Sequence, residues 1–477
     1  MAAVKTRYTT VVGLEIHAEL LTKTKLFCGC PNIFGKDENE NVCPGCLGLP
    51  GTLPALNRAA VELAIKGGLA LGCDITKMTS WDRKSYFYAD LPNGYQITQM
   101  FAPICTGGGL DIGGRFIRLD HIHLEEDAGK LIHDNLRNAT RIDFNRAGVP
   151  LIEIVTKPDM RSAEEAVAFI EKVRLALIYA GVCDGRMEQG RLRADANISV
   201  MPEGSETLGT RIEVKNLNSF RFVAMAIEHE AQRQIKVLEE GGSLRQETRR
   251  FIEGSGETAA MREKEDAHDY RYYPDADIPW LSLDDGYIDA VRASMPEAPD
   301  SRKARYTGAH RMSEADADTL LARKPVSDFY DSMVSLGADP KEALAIVRGE
   351  ILRNIADIVD GPIPVSPEDA ARLLRMGEAG EIGVNNIKKA IGLLMRGDGG
   401  SLDEIIEQNG MLIREDPDLL ASVIRGVLES NPAAVASYKE GEDKVFGYFM
   451  GQCNKTLKGS VQPKTLQDAL RAQLDML

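Results

Sequence analysis

Residues 11–20, VVGLEIHAEL, alternate between apolar and polar side chains, and this pattern constrains the fold more than any other stretch. A period of two places successive side chains on opposite faces of a β-strand. One face would be apolar, whereas the other would carry Glu15, His17 and Glu19, close enough for neighbours to share a ligand or a metal. An edge strand whose polar face meets water has the same pattern, so both interpretations stay open at this point.

Two later stretches repeat this design. Residues 191–200 place apolar side chains opposite a polar set, Arg191, Arg193, Asp195 and Asn197. Residues 210–216 repeat it with Arg211, Glu213 and Lys215. Strands that are apolar on one face and polar on the other are typical of antiparallel sheets. We therefore predict an α+β fold in which a largely antiparallel sheet forms a cradle for a charged substrate.

A third region combines imidazole and carboxylate groups at high density. Residues 116–130 contain His121, His123, Glu125, Glu126 and Asp127, and Glu153 interrupts the apolar strand 151–155. A carboxylate inside an apolar strand usually has a partner or a function. Carboxylates bind hard cations such as Mg²⁺, and arginines bind phosphate oxygens. The pattern favours metal-assisted phosphoryl or acyl activation, although residues 116–130 could instead form a solvated acidic turn.

An aromatic segment follows basic residues between positions 82 and 92. Lys84, Tyr86 and Tyr88 alternate with other side chains along it. Such a segment could hold phosphate groups with its lysine and stack its rings on a base or ribose. An aromatic strand with a solvated start explains the same residues equally well.

The cysteines predict a metal site. Cys28 and Cys30 form one close pair, Cys43 and Cys46 form a second, and twelve residues separate the pairs. Four thiolates in this spacing suit a tetrahedral structural Zn²⁺, and the Gly and Pro residues between them suit tight turns. We expect a zinc knuckle over residues 28–46 rather than buried thiols without a metal.

Length and charge narrow the class of protein. The chain has 477 residues, which suggests about three domains. Its net charge of −15 argues against a general nucleic-acid coat, while leaving room for a local basic surface. The sequence has neither an apolar run of membrane-spanning length nor a secretory leader, so we expect a cytoplasmic protein without a membrane partner.

The last third of the sequence is helical in pattern. After a turn-rich break near residue 296, apolar residues recur at helical spacing up to residue 396, and a glycine-rich hinge follows. Ser401 and Glu404 predict a capping box that opens the last segment. We predict three domains: 1–294 with the cradle and knuckle, 295–396 all helical, and 401–477 as a small helical tail. Near its end the tail concentrates basic residues, Lys455, Lys458 and Lys464, which could contact phosphates or simply be solvated.

Several motifs together resemble one known family. They include GLEIHAEL (13–20), DRKSYFYADLPNGYQITQ (82–99), HLEEDAGK (123–130), NRAGVPLIEIV (145–155), GRLRADANIS (190–199) and EVKNLNSFRF (213–222). On these motifs the sequence is identified as a member of the GatB family, the B-type subunits of bacterial Asp/Glu-tRNA amidotransferases, and the resemblance covers residues 11–280 in order. The E-type archaeal relative carries a large insertion for which this chain has no room.

The resemblance implies a reaction and partners. Glu-tRNA(Gln) or Asp-tRNA(Asn) would be activated by ATP and Mg²⁺ to a phosphorylated aminoacyl intermediate, which ammonia would convert to Gln-tRNA(Gln) or Asn-tRNA(Asn). Ammonia would come from the A-type amidase (glutaminase) partner, and a small C-type partner would complete a heterotrimer. The sequence contains no Gly/Ser-rich amidase signature of its own, in agreement with a need for that partner.

The resemblance also implies roles for individual residues. It places Mg²⁺ on His17, Glu126 and Glu153, with Glu15 beside them, and zinc on the four paired cysteines. It associates a further set with the transamidation pocket or ATP: Arg191, Arg193, Asp195, Asn197, Lys84, Tyr86 and Tyr88. The helical tail would reach the tRNA through its lysines.

Two other functions are compatible with parts of the pattern. A zinc-containing RNA-binding scaffold without chemistry would explain the cysteines and the tail, but carboxylates are poor neighbours for a phosphate backbone. A self-contained ATP-dependent ligase for small molecules would explain the polar sheet, but not the long series of helices.

Overall fold

The structure is a computed structural model that describes residues 7–476, except for 135, 264–269, 356–361, 399, 414–416, 440–441, 443 and 458–460. The chain divides into two compact units, one ending at Ser301 and the other beginning at Arg302. The first unit contains the sheet, and the second is helical.

The first unit contains the strands, most of which are short. In chain order they are β1 (Tyr8–Glu19), β2 (Asp74–Ile75), β3 (Met78–Thr79), β4 (Asp82–Ser85), β5 (Tyr95–Thr98), β6 (Cys105–Thr106), β7 (Gly109–Asp111), β8 (Phe116–Glu126), β9 (Lys130–Asp134), β10 (Ala139–Asp143), β11 (Pro150–Thr156), β12 (Leu192–Pro202), β13 (Ile212–Leu217), β14 (Glu247–Ile252), β15 (Glu257–Glu263), β16 (Tyr273–Pro274) and β17 (Leu281–Ser282).

One large sheet organises this unit. Within the described residues its strand order is β15-β14-β13-β12-β1-β11-β8-β6-β2, and β7 also pairs with β8. Strands β13 and β14 are parallel, whereas the pairs on both sides of β1 are antiparallel. The alternating stretch at residues 11–20 therefore lies on a strand with a neighbour on each side rather than at an edge.

Helices from the described part of the first unit accompany the sheet: α1 (Arg58–Ala70), α2 (Ala163–Tyr179), α3 (Phe220–Glu239) and α4 (Asp285–Ala293). Leu14 and Ile16 of β1 and Phe169 of α2 are fully or almost fully buried in one hydrophobic core. Burial of such a side chain stabilises the fold by about 1.5–3 kcal/mol. The apolar side chains therefore determine which face of each strand points toward the core. The opposite face is left with the polar residues.

The second unit consists of short helices. They are α5 (Pro299–Gly308, beginning just before the division), α6 (Glu314–Leu321), α7 (Lys324–Ser335), α8 (Pro340–Ile346), α9 (Leu352–Asn354), α10 (Pro367–Glu378), α11 (Val384–Arg396), α12 (Leu402–Gln408), α13 (Pro417–Glu429), α14 (Pro432–Lys439), α15 (Lys444–Leu457) and α16 (Pro463–Asp475), with a π-helical turn at Val347–Ile351. A separate core joins α13, α15 and α16 around Phe449, Cys453 and Leu466. Ser401 and Glu404 form the capping box expected from the sequence.

The α+β class is confirmed: a sheet-rich N-terminal part precedes helical segments. The three domain ranges, 1–294, 295–396 and 401–477, stay predictions. The structure divides after Ser301 into two compact units. Among the described residues, no helix is long and apolar enough to cross a membrane.

Candidate active site

The register of the central strands assembles a polar row across the sheet. His17 of β1 lies opposite Glu153 of β11 and Arg193 of β12. Glu153 in turn lies opposite His123 of β8. Directly opposed residues share a face, so four strands contribute His123, Glu153, His17 and Arg193 to one line of side chains.

Two imidazoles and two carboxylates meet along this row. His17 Nε2 lies 3.4 Å from Glu153 Oε2 and 3.9 Å from Glu125 Oε1. His123 Nε2 lies 3.1 Å from Glu153 Oε2 and 3.3 Å from Glu125 Oε2. Ligand atoms of His17, Glu125 and Glu153 all lie within 4.8 Å of one another, which suits a shared cation. We call these three residues the central triad.

The charges of this group depend on one another. Burial alone would raise the pKa of Glu153, but His123 and His17 hold it well below its ordinary value. Burial alone would lower the pKa of His123, yet Glu153 and Glu125 raise it to about 10. The same balance with Glu153 raises the pKa of His17. Glu153 is thus an ionised carboxylate between two imidazoles, and a hard cation would compete with protons for its oxygens.

A second acidic group lies beside the first. Ligand atoms of Glu15, Asp195 and Glu213 also lie within 4.8 Å of one another. Lys215 Nζ lies 3.1 Å from Glu213 Oε1 and 3.5 Å from Asp195 Oδ2, while Asn197 Nδ2 donates to Glu15 Oε1 at 2.9 Å. Burial, followed by the repulsion of Glu153, raises the pKa of Glu15. Lys215 therefore offsets part of the negative charge on this side.

Both groups line one cavity of about 500 Å³. The cavity also contains the cations Lys84, Arg193, Arg211 and Lys215, and the tyrosines Tyr86, Tyr270 and Tyr272. The Lys84 ammonium lies 4.9 Å from the centroid of the Tyr270 ring. A site with carboxylates on its floor and cations and aromatic rings around them can hold a metal ion, phosphate groups and a base at once.

Arg193 lies on β12, whereas Arg191 precedes that strand, and the two occupy different environments although they belong to one alternating stretch of sequence. Arg193 Nη1 donates to Asp127 Oδ2 at 2.8 Å and lines the cavity. Arg191 Nε donates to Glu19 Oε2 at 3.2 Å, and Arg191 also pairs with Asp184. Arg191 is absent from the cavity lining, so its described contacts are those of a structural ion pair.

The expected magnesium set is brought together only in part: His17 and Glu153 meet, but Glu126 does not join them. Glu126 follows Glu125 in β8 and points to the opposite face, the one that Ile122 and Leu124 occupy. Its Oε1 accepts a hydrogen bond from the backbone N–H of Ile97 at 3.1 Å, and it lines a separate cavity of about 60 Å³ beside Cys46. Burial raises the pKa of Glu126 to about 7. Glu125 takes the place beside His17 that the resemblance gives to Glu126.

The sequence contained a signal for Glu125, which was not predicted as a metal ligand. His121, His123 and Glu125 share odd parity, so a strand places all three on one face with the side chain that opposes Glu153. Glu126 breaks this parity. The alternation used for residues 11–20, applied to residues 121–126, would have selected Glu125.

Sequence profiles of two known domains match the chain. The GatB/GatE catalytic domain matches residues 10–289, and a GatB domain matches residues 328–474. The chain belongs to the GatB family.

Relatives of this family match over nearly the full length. The chain is 48% identical to the B-type subunit of the aspartyl/glutamyl-tRNA(Asn/Gln) amidotransferase of Ruminiclostridium cellulolyticum over 477 residues, covering 99% of this chain and 98% of that protein. It is 44% identical to the protein of the same name from Syntrophotalea carbinolica over 474 residues, covering 98% and 99% of the two chains. The family recognised from motifs is thus confirmed, and the GatB/GatE catalytic match contains the whole polar face of the sheet.

The four cysteines of this GatB chain form a third donor group. The Sγ atoms of Cys28, Cys30, Cys43 and Cys46 all lie within 4.8 Å of one another. A hydrogen bond from Cys28, despite partial burial, helps lower the pKa of Cys46 to about 4. Four soft sulfur donors at this separation fit a tetrahedral Zn²⁺ and leave no protein position for a reacting ligand.

The remaining predicted site residues lie outside the cavity lining. Tyr88 stacks on Tyr86 with a centroid distance of 5.6 Å, but it is 53% exposed and does not line the cavity. In the tail, Lys455 lies on α15 and Lys464 on α16, both exposed. Lys458 lies outside the described residues.

Proposed function

We propose that this chain converts Glu-tRNA(Gln), Asp-tRNA(Asn) or both to Gln-tRNA(Gln) and Asn-tRNA(Asn), using ATP and ammonia from a partner glutaminase. The observation that carries the proposal is the central triad on the floor of a cavity whose walls hold cations and tyrosines. The names of the full-length relatives support the tRNA substrates and the amide product.

His17, Glu125 and Glu153 would hold Mg²⁺, because two carboxylates and an imidazole in contact suit a hard cation. Held there, Mg²⁺ would neutralise part of the negative charge of the phosphates and of the substrate carboxylate. Glu15 lies on the same face two residues before His17, where it could bind through water or hold a second cation with Asp195.

Cations in the cavity would orient the two anionic substrates. Lys84 is set above the Tyr270 ring, which leaves its ammonium available to phosphate oxygens. Arg193 donates to Asp127 at 2.8 Å, which fixes the direction of its guanidinium. Its remaining N–H groups would bind the carboxylate of the substrate. Fixed donors of this kind lower the cost of bringing two negatively charged groups together.

The tyrosines would receive a base. Tyr86 and Tyr270 have centroids 6.1 Å apart, and Tyr270 and Tyr272 are 6.0 Å apart. Base–aromatic stacking contributes about 1–3 kcal/mol per base. The adenine of ATP or the terminal adenosine of the tRNA would fit such a wall.

The proposed reaction has two steps, phosphorylation of the substrate carboxylate and its replacement by an amide. A carboxylate oxygen of the tRNA-linked Glu or Asp attacks the γ-phosphorus of ATP, and ADP leaves. Ammonia next attacks the carbonyl carbon of the mixed anhydride, phosphate leaves, and the ammonium proton is released. The first step requires close approach of two anions, which is the problem that the cations of this cavity address.

The other two regions would have supporting roles. The cysteine knuckle would hold a structural Zn²⁺, and the exposed tail lysines Lys455 and Lys464 would contact tRNA phosphates. The A-type glutaminase and the small C-type protein would complete the enzyme as a heterotrimer.

Reconstitution tests the proposal. The full chain, combined with its glutaminase and small partners, is supplied with ATP, Mg²⁺, glutamine and either misacylated tRNA, and the esterified amino acid is analysed. We expect Gln-tRNA(Gln) or Asn-tRNA(Asn), and a large loss of product with His17→Ala. Glu19→Gln is the matched control, because Glu19 shares strand and face but pairs with Arg191 outside the cavity. If neither tRNA is amidated while tRNA still binds, the scaffold function replaces the catalytic one.

A further inference from the structure

Lys25 is a charged residue buried inside the first unit. Its relative exposure is 0%, and it follows β1 by only a few residues. Removing an ammonium from water is costly unless an anion or several acceptors compensate it. Lys25 forms no ion pair with a carboxylate in the part of the chain that the structure describes. Other groups must therefore compensate the positive charge of its buried ammonium.

The Lys25 ammonium faces three groups from two different segments. Nζ donates to the backbone oxygen of Asn41 at 2.9 Å and to that of Phe144 at 3.4 Å. The third neighbour is Cys46 Sγ at 3.7 Å. Two carbonyls are neutral acceptors, so the sulfur is the group among them that can carry a full negative charge.

We propose that Lys25 is a positioning residue of the zinc knuckle, donating an N–H···S hydrogen bond to the Cys46 thiolate and offsetting the negative charge of the metal–thiolate group. Zn²⁺ with four thiolates has a net charge of −2, and one ammonium in contact reduces it to −1. This role rests on the proposed zinc site and extends it to a residue outside the four ligands.

The same ammonium connects the knuckle to the site-bearing strands. Phe144 belongs to the turn that leads into β11, the strand of Glu153, and Leu26 next to Lys25 donates to the oxygen of Gly148 in that turn at 2.8 Å. A Cβ built on Gly148 would lie 3.6 Å from Lys25 Cδ and 3.9 Å from Cys46 Cβ. Zinc and Lys25 would therefore hold this turn in place together.

Zinc release from the full chain tests the proposal. Zinc-loaded wild type, Lys25→Met and Lys23→Met are mixed with excess chelator, and the metal transferred is followed by absorbance. Loss of a partner outside the ligand shell typically reduces metal affinity 10–100-fold, so we expect Lys25→Met to release zinc at least tenfold faster. Lys23 is exposed and two residues away, so its variant should match wild type. Equal release from wild type and Lys25→Met overturns the role of Lys25.

A spectroscopic readout separates hydrogen bonding to sulfur from general stability. With Co²⁺ in place of zinc, loss of an N–H···S bond should move the thiolate-to-cobalt charge-transfer band to longer wavelength in Lys25→Met. An unmoved band contradicts the proposal even if the variant is less stable.

A third measurement needs no variant and covers the case in which Lys25→Met does not fold. Lys25 of the wild-type chain should resist amine acetylation with zinc bound and become reactive after chelation, as followed by peptide mass spectrometry. Equal labelling in both states overturns the proposal. A chain purified without zinc overturns the zinc site itself, whereas zinc that stays with equal labelling overturns only the part played by Lys25.

Discussion

The central triad and the cysteine knuckle are both groups of converging ligand atoms, but they are assembled in opposite ways. The triad takes His17, Glu125 and Glu153 from three strands whose order in the chain differs from their order in the sheet. The knuckle takes all four sulfurs from residues 28–46. The first offers hard oxygen and nitrogen donors in a cavity of about 500 Å³, and the second offers soft sulfur donors in a closed set.

This difference determines what each group depends on. The triad is positioned by strand register and by the apolar core behind the sheet, so it is formed by folding and does not require its metal. The knuckle lies in turns with little regular structure, so its geometry would depend mainly on a metal held by its thiolates. Loss of metal from the triad should therefore abolish the reaction, whereas loss of metal from the knuckle should lower the stability of the fold.

The largest expected effect concerns the two adjacent glutamates of β8. Glu125→Gln should slow ADP formation dependent on Glu-tRNA(Gln) by about 10³-fold, because it removes a charged ligand of the proposed Mg²⁺ from the central triad. Mn²⁺ binding, measured by electron paramagnetic resonance, should weaken in parallel.

Glu126→Gln is the matched control, identical in chemistry and displaced by one residue to the other face. It should leave Mn²⁺ affinity within about twofold, whatever its effect on later steps. If Glu126→Gln weakens Mn²⁺ binding and Glu125→Gln does not, the set taken from the family resemblance is right and the triad derived from the register is wrong.

The second effect concerns the knuckle. Cys43→Ser should remove zinc and lower the thermal unfolding midpoint of the first unit by about 5–10 °C, since zinc binding and folding of the knuckle are coupled. Mn²⁺ affinity at the triad should change by less than about threefold.

Calorimetry and metal analysis on the same sample check this prediction. Cys453→Ser is the control, because Cys453 is buried in the tail core away from any described cysteine group. A loss of Mn²⁺ affinity as large as that of Glu125→Gln would show that the two groups are not independent.

A glycine beside the knuckle sharpens the comparison further. Gly148 has φ +82°, and a Cβ there would lie 3.9 Å from Glu126 Oε2 and 3.9 Å from Cys46 Cβ. Space is adequate, so Gly148→Ala should cost only the strain of the left-handed conformation, about 1–2 kcal/mol of unfolding free energy. Denaturant titration measures it, with Gly190→Ala as a control of similar φ and open surroundings. A cost well above that of the control would indicate that the turn is tightly coupled to the knuckle.

The same contrast explains what sequence could provide. Four cysteines in two close pairs identify their own group, because the short spacing within each pair keeps its sulfurs together and two such pairs are typical of zinc sites. The polar face of β1 was equally legible, since alternation needs only local residues. The same local alternation in β8 separates Glu125 from Glu126, but which residues of β11 lie opposite that face is set by pairing between residues about 30 positions apart. The proximity of Lys25 to Phe144 depends on a longer separation still, 119 residues, and no local pattern indicates it.

The smallest expected effect concerns the hydroxyl that orients a triad ligand. Thr98 Oγ1 donates to Glu125 Oε2 at 3.1 Å, whereas Thr248 Oγ1 donates to Glu213 Oε2 of the second acidic group at 2.8 Å. Thr98→Val keeps the shape and removes the donor, which should cost about 1 kcal/mol and weaken Mn²⁺ binding about fivefold. Thr248→Val is the matched control and should change it less than twofold. If Thr248→Val weakens Mn²⁺ binding more than Thr98→Val does, the tighter metal site is that of Glu15, Asp195 and Glu213. The reason is that only the group that binds the ion responds to the loss of its supporting hydrogen bond.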